Sequence, residues 1–277
     1  MLLGSIFKRP MVMFVLLSNV IFWVFLALIG VCMMINVPMI ITNTLIIMSA
    51  WSSTFSFIIL FKIIYPRLNL IDFIKQQFAT KLSFNVLGIA ISIQALIFIC
   101  SLILLPSTDN IQYFSKSLSG VTLFLFLFFN ILVSGPLGEE LGWRGYALNE
   151  LQKKYSPLVT AIITGGLWGF WHTPLWLLTS GYTGMNLIKY CGLFMVGIIS
   201  VTIIMTFFYN LNKNLFVPII IHQLFNFFIL ITKGELLDIL FYHSLLYFSV
   251  AFILIVINPK RILYYDEKAP FHKPLKF

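Results

Sequence analysis

The stretch GEELGWRG at residues 138–145 follows VTLFLFLFFNILVSGPL, in which no residue carries a charge. Two carboxylates and a guanidinium at the end of so apolar a run are costly at membrane depth, where ionisable groups pair with one another or serve a function. Outside the loops, the other ionisable groups are His172, His222 and His243. Glu140 and Arg144 stand at i and i+4, as do Trp168 with His172 and His222 with Asn226, so each pair projects from one helix face. Three helices then present polar pairs to a common interior.

A carboxylate held away from water can act as a general base, sharing with a neighbouring imidazole the task of holding and deprotonating a water. A second imidazole and a carboxamide supply hydrogen bonds suited to the oxyanion of a tetrahedral intermediate. Glu140, with Arg144 one turn on, reads as the paired, structural carboxylate. Glu139 points about 100° away on a helix and is left as the base. Simpler readings exist for single residues. Glu140 with Arg144 can be only a salt bridge, Trp168 beside Gly166 and Gly169 reads as packing, and Asn226 can join helices as buried amides do. His243 has no polar partner in register and is set aside. Packing explains poorly why Glu139, His172 and His222 sit on separate helices.

The elements that must carry these residues are membrane spans. Of 277 residues, 60% are hydrophobic and 10% charged, against roughly 45–50% and 25% in ordinary globular domains. A span needs about 20 apolar residues, and eight candidates fall near 11–33, 41–63, 82–105, 120–140, 157–178, 190–209, 217–232 and 237–257. Between the second and third, PRLNLIDFIKQQFATK predicts an amphipathic helix in the interface, with Leu68, Ile71, Ile74 and Phe78 on one side. Gly135 and Pro136 predict a break in the fourth span. Counted along straight helices, Glu139 and His222 lie near the cytoplasmic side and His172 deeper.

Lysines and arginines cluster at 8–9, 62–81, 153–154, 213 and 260–276, leaving Lys116, Lys189 and Lys233 on the other side. The positive-inside rule then puts both termini in the cytoplasm of a multi-pass protein of the cell membrane. The net charge of +9 is thus a topology signal and indicates no nucleic-acid partner. The first apolar stretch is too long for a cleaved signal peptide. Cys32, Cys100 and Cys191, without a CxxC, suggest neither a disulfide framework nor a zinc cluster. The chain reads as all-α and integral, a single polytopic domain over 1–277, with about eight transmembrane helices enclosing an intramembrane polar site.

The order EELGWR at 139–144, WGFWH at 168–172 and HQLFN at 222–226 resembles the CPBP family of CAAX prenyl endopeptidases and bacteriocin-processing enzymes, also labelled Abi. Pro136 before the double glutamate, Gly145 after the arginine and Pro218 four residues before His222 are similar too. The likeness covers 120–232, spans four to seven, as the catalytic core. Where this chain has Trp168 and Trp143, the family often has Phe. The resemblance implies an intramembrane endopeptidase whose site opens toward the cytoplasm. Glu139 with His172 would activate the water, Glu140 and Arg144 would brace the site, and His222 with Asn226 would hold the oxyanion. No cofactor is required by the sequence. Zinc is possible, with Glu139, His172 and His222 as ligands, although HExxH is missing, and the sequence favours neither a metal-dependent nor a metal-free glutamate type. The partners expected are a peptide or protein substrate, lipidated or a bacteriocin or pheromone leader, and membrane lipids. Two other classes stay open: a non-catalytic protein of bacteriocin self-immunity or secretion scaffolding, and a proton-coupled transporter, against which the lack of internal repeats argues.

Overall fold

The computed structural model describes residues 9–105 and 120–264. Lys8, Lys116 and the cations beyond residue 264, all part of the orientation argument, lie outside the described residues. The chain runs through α1 (Pro10–Met34), α2 (Met39–Ala50), α3 (Ser52–Ile64), α4 (Leu70–Gln77), α5 (Phe84–Leu104), α6 (Val121–Val133) and α7 (Pro136–Glu140). A π-helix over Leu141–Leu148 leads to α8 (Asn149–Gln152), α9 (Pro157–Trp171), α10 (Thr173–Thr179), α11 (Gly184–Asn212), α12 (Phe216–Leu230) and α13 (Leu236–Ile257). All eight expected apolar segments are helical, and no strand occurs among the described residues. The protein is an all-α, multi-pass membrane protein.

The span count is smaller than eight by length. Five helices are long and apolar enough to cross a membrane, counting the run Val121–Gln152 as one, or six if α2 and α3, bent by 55° at Trp51, form one span. At 15 residues, α9 and α12 fall short of the roughly 20 that a hydrocarbon core needs.

The centre is α11, whose second half from Gly197 to Asn210 is buried almost without interruption. Lipid tails are as apolar as leucine, so spans associate through close van der Waals fit, which small residues permit. A Cβ at Gly165 of α9 would come 3.0 Å from the Ile199 Cα of α11, and one at Gly197 of α11 would come 2.9 Å from the Ser244 Oγ of α13. The outer faces are a coat of exposed apolar side chains, including Trp23, Phe126, Phe170 and Phe252.

The segment before α5 holds the expected short helix, α4. Asn69 caps α4, accepting from the Ile71 amide at 2.8 Å, and the helix ends at Gln77. Its inward residues are Phe73 and Gln77, whereas Ile71 and Phe78 are exposed. The reason is tertiary: Phe73 packs at 5.0 Å from Phe57 and 5.4 Å from Tyr65, and Tyr146 of the π-helix stacks on Phe57 at 5.2 Å. The Tyr65 hydroxyl donates to Glu150. Burial first, and then that neighbouring carboxylate, raises the phenol above its ordinary range and keeps it a donor. A tight turn with Lys213 in the left-handed region lets Asn214 donate to the Thr80 carbonyl at 2.7 Å and Asn212 to the Lys81 carbonyl at 3.0 Å. The floor beneath the π-helix is thereby fixed.

Gly142 meets this floor with no room to spare: a Cβ there would lie 2.7 Å from the Ser53 carbonyl carbon. Gly142→Ala must push α3 away from the π-helix, and overpacking of this kind costs about 1–3 kcal/mol. Thermal unfolding in detergent should show a lowered Tm for Gly142→Ala, while Gly166→Ala, which meets nothing within 4 Å, leaves Tm within error.

Candidate functional site

Every group of the site hangs on the broken fourth segment. The apolar run of α6 ends at Val133, and Pro136 restarts the helix as its first residue, where a missing N–H is harmless. A break at membrane depth exposes backbone groups that need partners. The Val133 carbonyl finds one in the Trp51 indole, which donates at 2.9 Å from the bend between α2 and α3. That ring lies against Gly138, where a Cβ would sit 2.6 Å from its Cδ1. The expected break is therefore present, and it is joined to a second irregularity that the sequence did not indicate.

Beyond α7 the winding loosens into the π-helix Leu141–Leu148, a form with i→i+5 bonds that is frequent at functional sites. The Asn149 carboxamide closes it, donating at 3.0 Å to the carbonyls of Arg144 and Gly145 and meeting the Tyr209 hydroxyl at 3.0 Å.

Two positions on this run are fully buried charges: Glu140 and Arg144 are each 0% exposed. Glu140 Oε1 accepts from Arg144 at 2.8 Å and from His222 Nδ1 at 2.8 Å. A carboxylate only accepts, so the proton between them belongs to His222 Nδ1, and in the neutral ring Nε2 is left as an acceptor. Asn226 supplies the matching donor, its Nδ2 lying 3.0 Å from Nε2. The i, i+4 pair on α12 is thus bonded internally. Arg144 donates further to Thr202 Oγ1 at 3.1 Å and Met205 Sδ at 3.4 Å, and its guanidinium stands 4.1 Å from the centre of the Trp168 ring. Thr202 gives its own proton to the Ile198 carbonyl at 2.7 Å, which turns its lone pair toward Arg144.

Trp168 does more than pack. Its indole N–H donates to Glu139 Oε2 at 2.6 Å, and its backbone carbonyl takes His172 Nδ1 at 2.8 Å. That bond puts the neutral ring's proton on Nδ1 and leaves His172 Nε2 uncommitted. Glu139 Oε1 is likewise unbonded. A Cβ at Gly135 would lie 3.6 Å from it and 3.4 Å from Asn226 Nδ2, so the carboxylate and the carboxamide face each other across a space that a side chain would fill. The straight-helix count set His172 deeper than Glu139; the break at 134–135 removes that premise, and Trp168 bridges the two.

His172, His222, Asn226, Trp168 and Ser134 border a cavity of about 390 Å³ whose remaining lining is mostly apolar, a volume typical of a small-ligand site. Glu139 lies just behind that lining, 4% exposed. The donor set suits zinc badly. Both nitrogens of His222 and one oxygen of Glu139 are already engaged, and among the described residues no three His, Cys, Asp or Glu side chains converge as metal ligands.

The structure brings Glu139, Glu140, Arg144, His172, His222 and Asn226 into one bonded cluster around Trp168. Thr202, Asn149 and Trp51, which complete it, left no mark in the sequence. Trp168 did, through its register with His172, but indole chemistry toward Glu139 was not legible there.

A carboxylate with a free oxygen, an imidazole with a free nitrogen and a carboxamide across a gap are groups that hydrolytic chemistry can use inside a helical membrane protein. The comparisons agree. Residues 120–228 match the family described as type II CAAX prenyl endopeptidase Rce1-like. A protein named CAAX prenyl protease 2 from Methanococcus maripaludis is 31% identical over 210 residues, spanning 73% of this chain and 74% of that one. The chain belongs to this family of CAAX prenyl endopeptidases, the CPBP proteins, and is an intramembrane endopeptidase.

Two substitutions probe the cluster. Removing one partner of a buried ion pair strands the other charge at about 3–5 kcal/mol, so Glu140→Ala should lower Tm steeply and reduce folded yield. Trp168→Phe keeps an aromatic side chain but removes the five-membered half of the indole together with the N–H to Glu139. A hydrogen bond to a charged group contributes about 1.5–3 kcal/mol, so steady-state kinetics should show kcat/KM down about tenfold or more, and the cavity should lower Tm as well.

Proposed function

We propose that this chain hydrolyses a peptide bond in a lipidated, aliphatic tail of a protein or peptide, within the membrane near its cytoplasmic face. The prenylated CAAX tail in the family description and in the relative's name supports the substrate class. The mostly apolar cavity beside the polar cluster suits an aliphatic segment. The clustering of Lys and Arg between spans supports cytoplasmic termini and, with them, a site approached from that side.

The observation that carries the mechanism is the double use of Trp168. It holds Glu139 by Oε2 and His172 by Nδ1, so one oxygen and one nitrogen stay free for a water. In this reading Glu139 Oε1 takes a proton from the water as its oxygen attacks the scissile carbonyl, with His172 Nε2 accepting the water's second hydrogen bond. The carbonyl oxygen becomes an oxyanion. Asn226 meets it with the amide hydrogen not used on His222, and the chain Asn226–His222–Glu140–Arg144 fixes that amide in place. Collapse of the tetrahedral intermediate breaks the C–N bond, and the proton held on Glu139 passes to the departing amine. His222 thereby contributes to the oxyanion by orienting Asn226. No step uses a metal.

The test is cleavage of a farnesylated tail peptide by the purified protein in proteoliposomes. Glu139→Gln and His172→Ala should each lower kcat by at least about 10²-fold, the scale of general-base contributions, with Tm retained. Dialysis against a chelator should leave the wild-type rate unchanged. Undiminished cleavage of a verified substrate by Glu139→Gln would sink the assignment, and a rate lost to chelation and restored by zinc would sink the metal-free water step.

A further inference from the structure

The last span carries an imidazole that the carboxylate cluster does not use. His243 lies seven residues into α13 and is 1% exposed, yet neither ring nitrogen has a hydrogen-bond partner. Its neighbours are committed elsewhere. Ser244 donates to the Leu193 carbonyl at 2.8 Å, and Tyr247, whose ring lies parallel at 6.4 Å, gives its hydroxyl to Gln94. A neutral imidazole carries one N–H and one bare lone pair, so one of the two ring nitrogens is an acceptor. A buried polar group without a partner costs about 1–3 kcal/mol, and one retained in a native structure calls for an explanation.

The cavity supplies it. His243 borders the same space as His172 and Asn226, between apolar walls that include Ile131, Phe225, Ile229 and Leu240. A peptide entering that space brings backbone N–H groups that lose water and need acceptors. In the mechanism above His172 is occupied with the attacking water and Asn226 with the reacting carbonyl, so His243 is left as the acceptor on the α13 wall. Resting on that peptidase reading, we propose that His243 is a substrate-binding residue whose ring lone pair accepts one main-chain N–H of the peptide flanking the scissile bond. It fixes the register of an apolar segment whose side chains offer no polar handle.

The experiment uses a fluorescent farnesylated tail peptide and a set of analogues in which one amide at a time is replaced by an ester, which removes that N–H. Binding is measured to Glu139→Gln protein, where no turnover intervenes, with His243 intact or replaced in His243→Phe, which keeps a ring of similar bulk. A net hydrogen bond corresponds to roughly 3- to 10-fold in affinity, so His243→Phe should weaken the parent peptide by that factor. With His243 intact, one ester position should weaken binding equally, and in His243→Phe that same ester should cost nothing more, the non-additivity expected of a direct contact. His243→Gln, which retains an acceptor, should keep most of the affinity and covers the case in which the Phe variant folds poorly. Equal ester costs in both proteins, unchanged affinity in His243→Phe, or no peptide binding at all would each overturn the assignment. Cleavage by wild type is read separately: His243-dependent binding without cleavage would sink the hydrolytic reading and leave this contact standing.

Discussion

The carboxylate of Glu140 is the point on which the site depends. Charges removed from water are tolerable only when paired and hydrogen-bonded, and one oxygen of Glu140 receives both Arg144 and His222 at 2.8 Å. This ties the π-helix to α12. Arg144 extends the tie to α11 through Thr202 and Met205, and to α9 by lying over the Trp168 ring. Four elements of separate origin are thus held by one buried pair. Their mutual positions set those of Glu139, His172 and Asn226.

That arrangement needs a backbone no regular helix provides. Past the break, Glu139 meets Trp168 and Glu140 meets His222 while Gly142 rests on α3. The break after Val133, the short α7 and the loosened π-winding supply the extra rotation. Each irregularity has a partner that makes it affordable: Trp51 for the Val133 carbonyl, Asn149 for the carbonyls of Arg144 and Gly145. The glycines at 138 and 142 let α3 and its Trp51 approach closely enough to serve. Irregular backbone at membrane depth persists where protein covers it, and here the covering elements are α3 and the bend preceding it.

Much of this was legible in the sequence because charge is scarce in apolar runs. Against residues such as VTLFLFLFFNILV, Glu139, Glu140 and Arg144 stand out, and four-residue spacing pairs Arg144 with Glu140 and Asn226 with His222. The eight helical segments followed from hydropathy for the same reason. What stayed hidden depends on contacts between distant residues. Thr202 is one hydroxyl among many on α11, and nothing local marks it as an acceptor for Arg144. Phe73 faces inward on α4 because Phe57, Phe61 and Tyr65 receive it, partners that helical periodicity within 66–81 does not reveal. The indole N–H of Trp168 looked like packing because its acceptor lies 29 residues earlier in the chain.

The ribosome makes these residues in an order that the finished network conceals. Arg144 follows Glu140 by four residues, but His222 is 82 residues away, so α6 through α8 must enter the bilayer before the ring that completes their charge network exists. During that interval the Glu140–Arg144 pair is locally neutral but only half-satisfied, in a segment otherwise among the most lipid-compatible of the chain. The charge network of the fourth segment is therefore complete only once α12 is in place. A nascent chain that stops short of it carries the Glu140–Arg144 pair without the imidazole that shares the carboxylate oxygen.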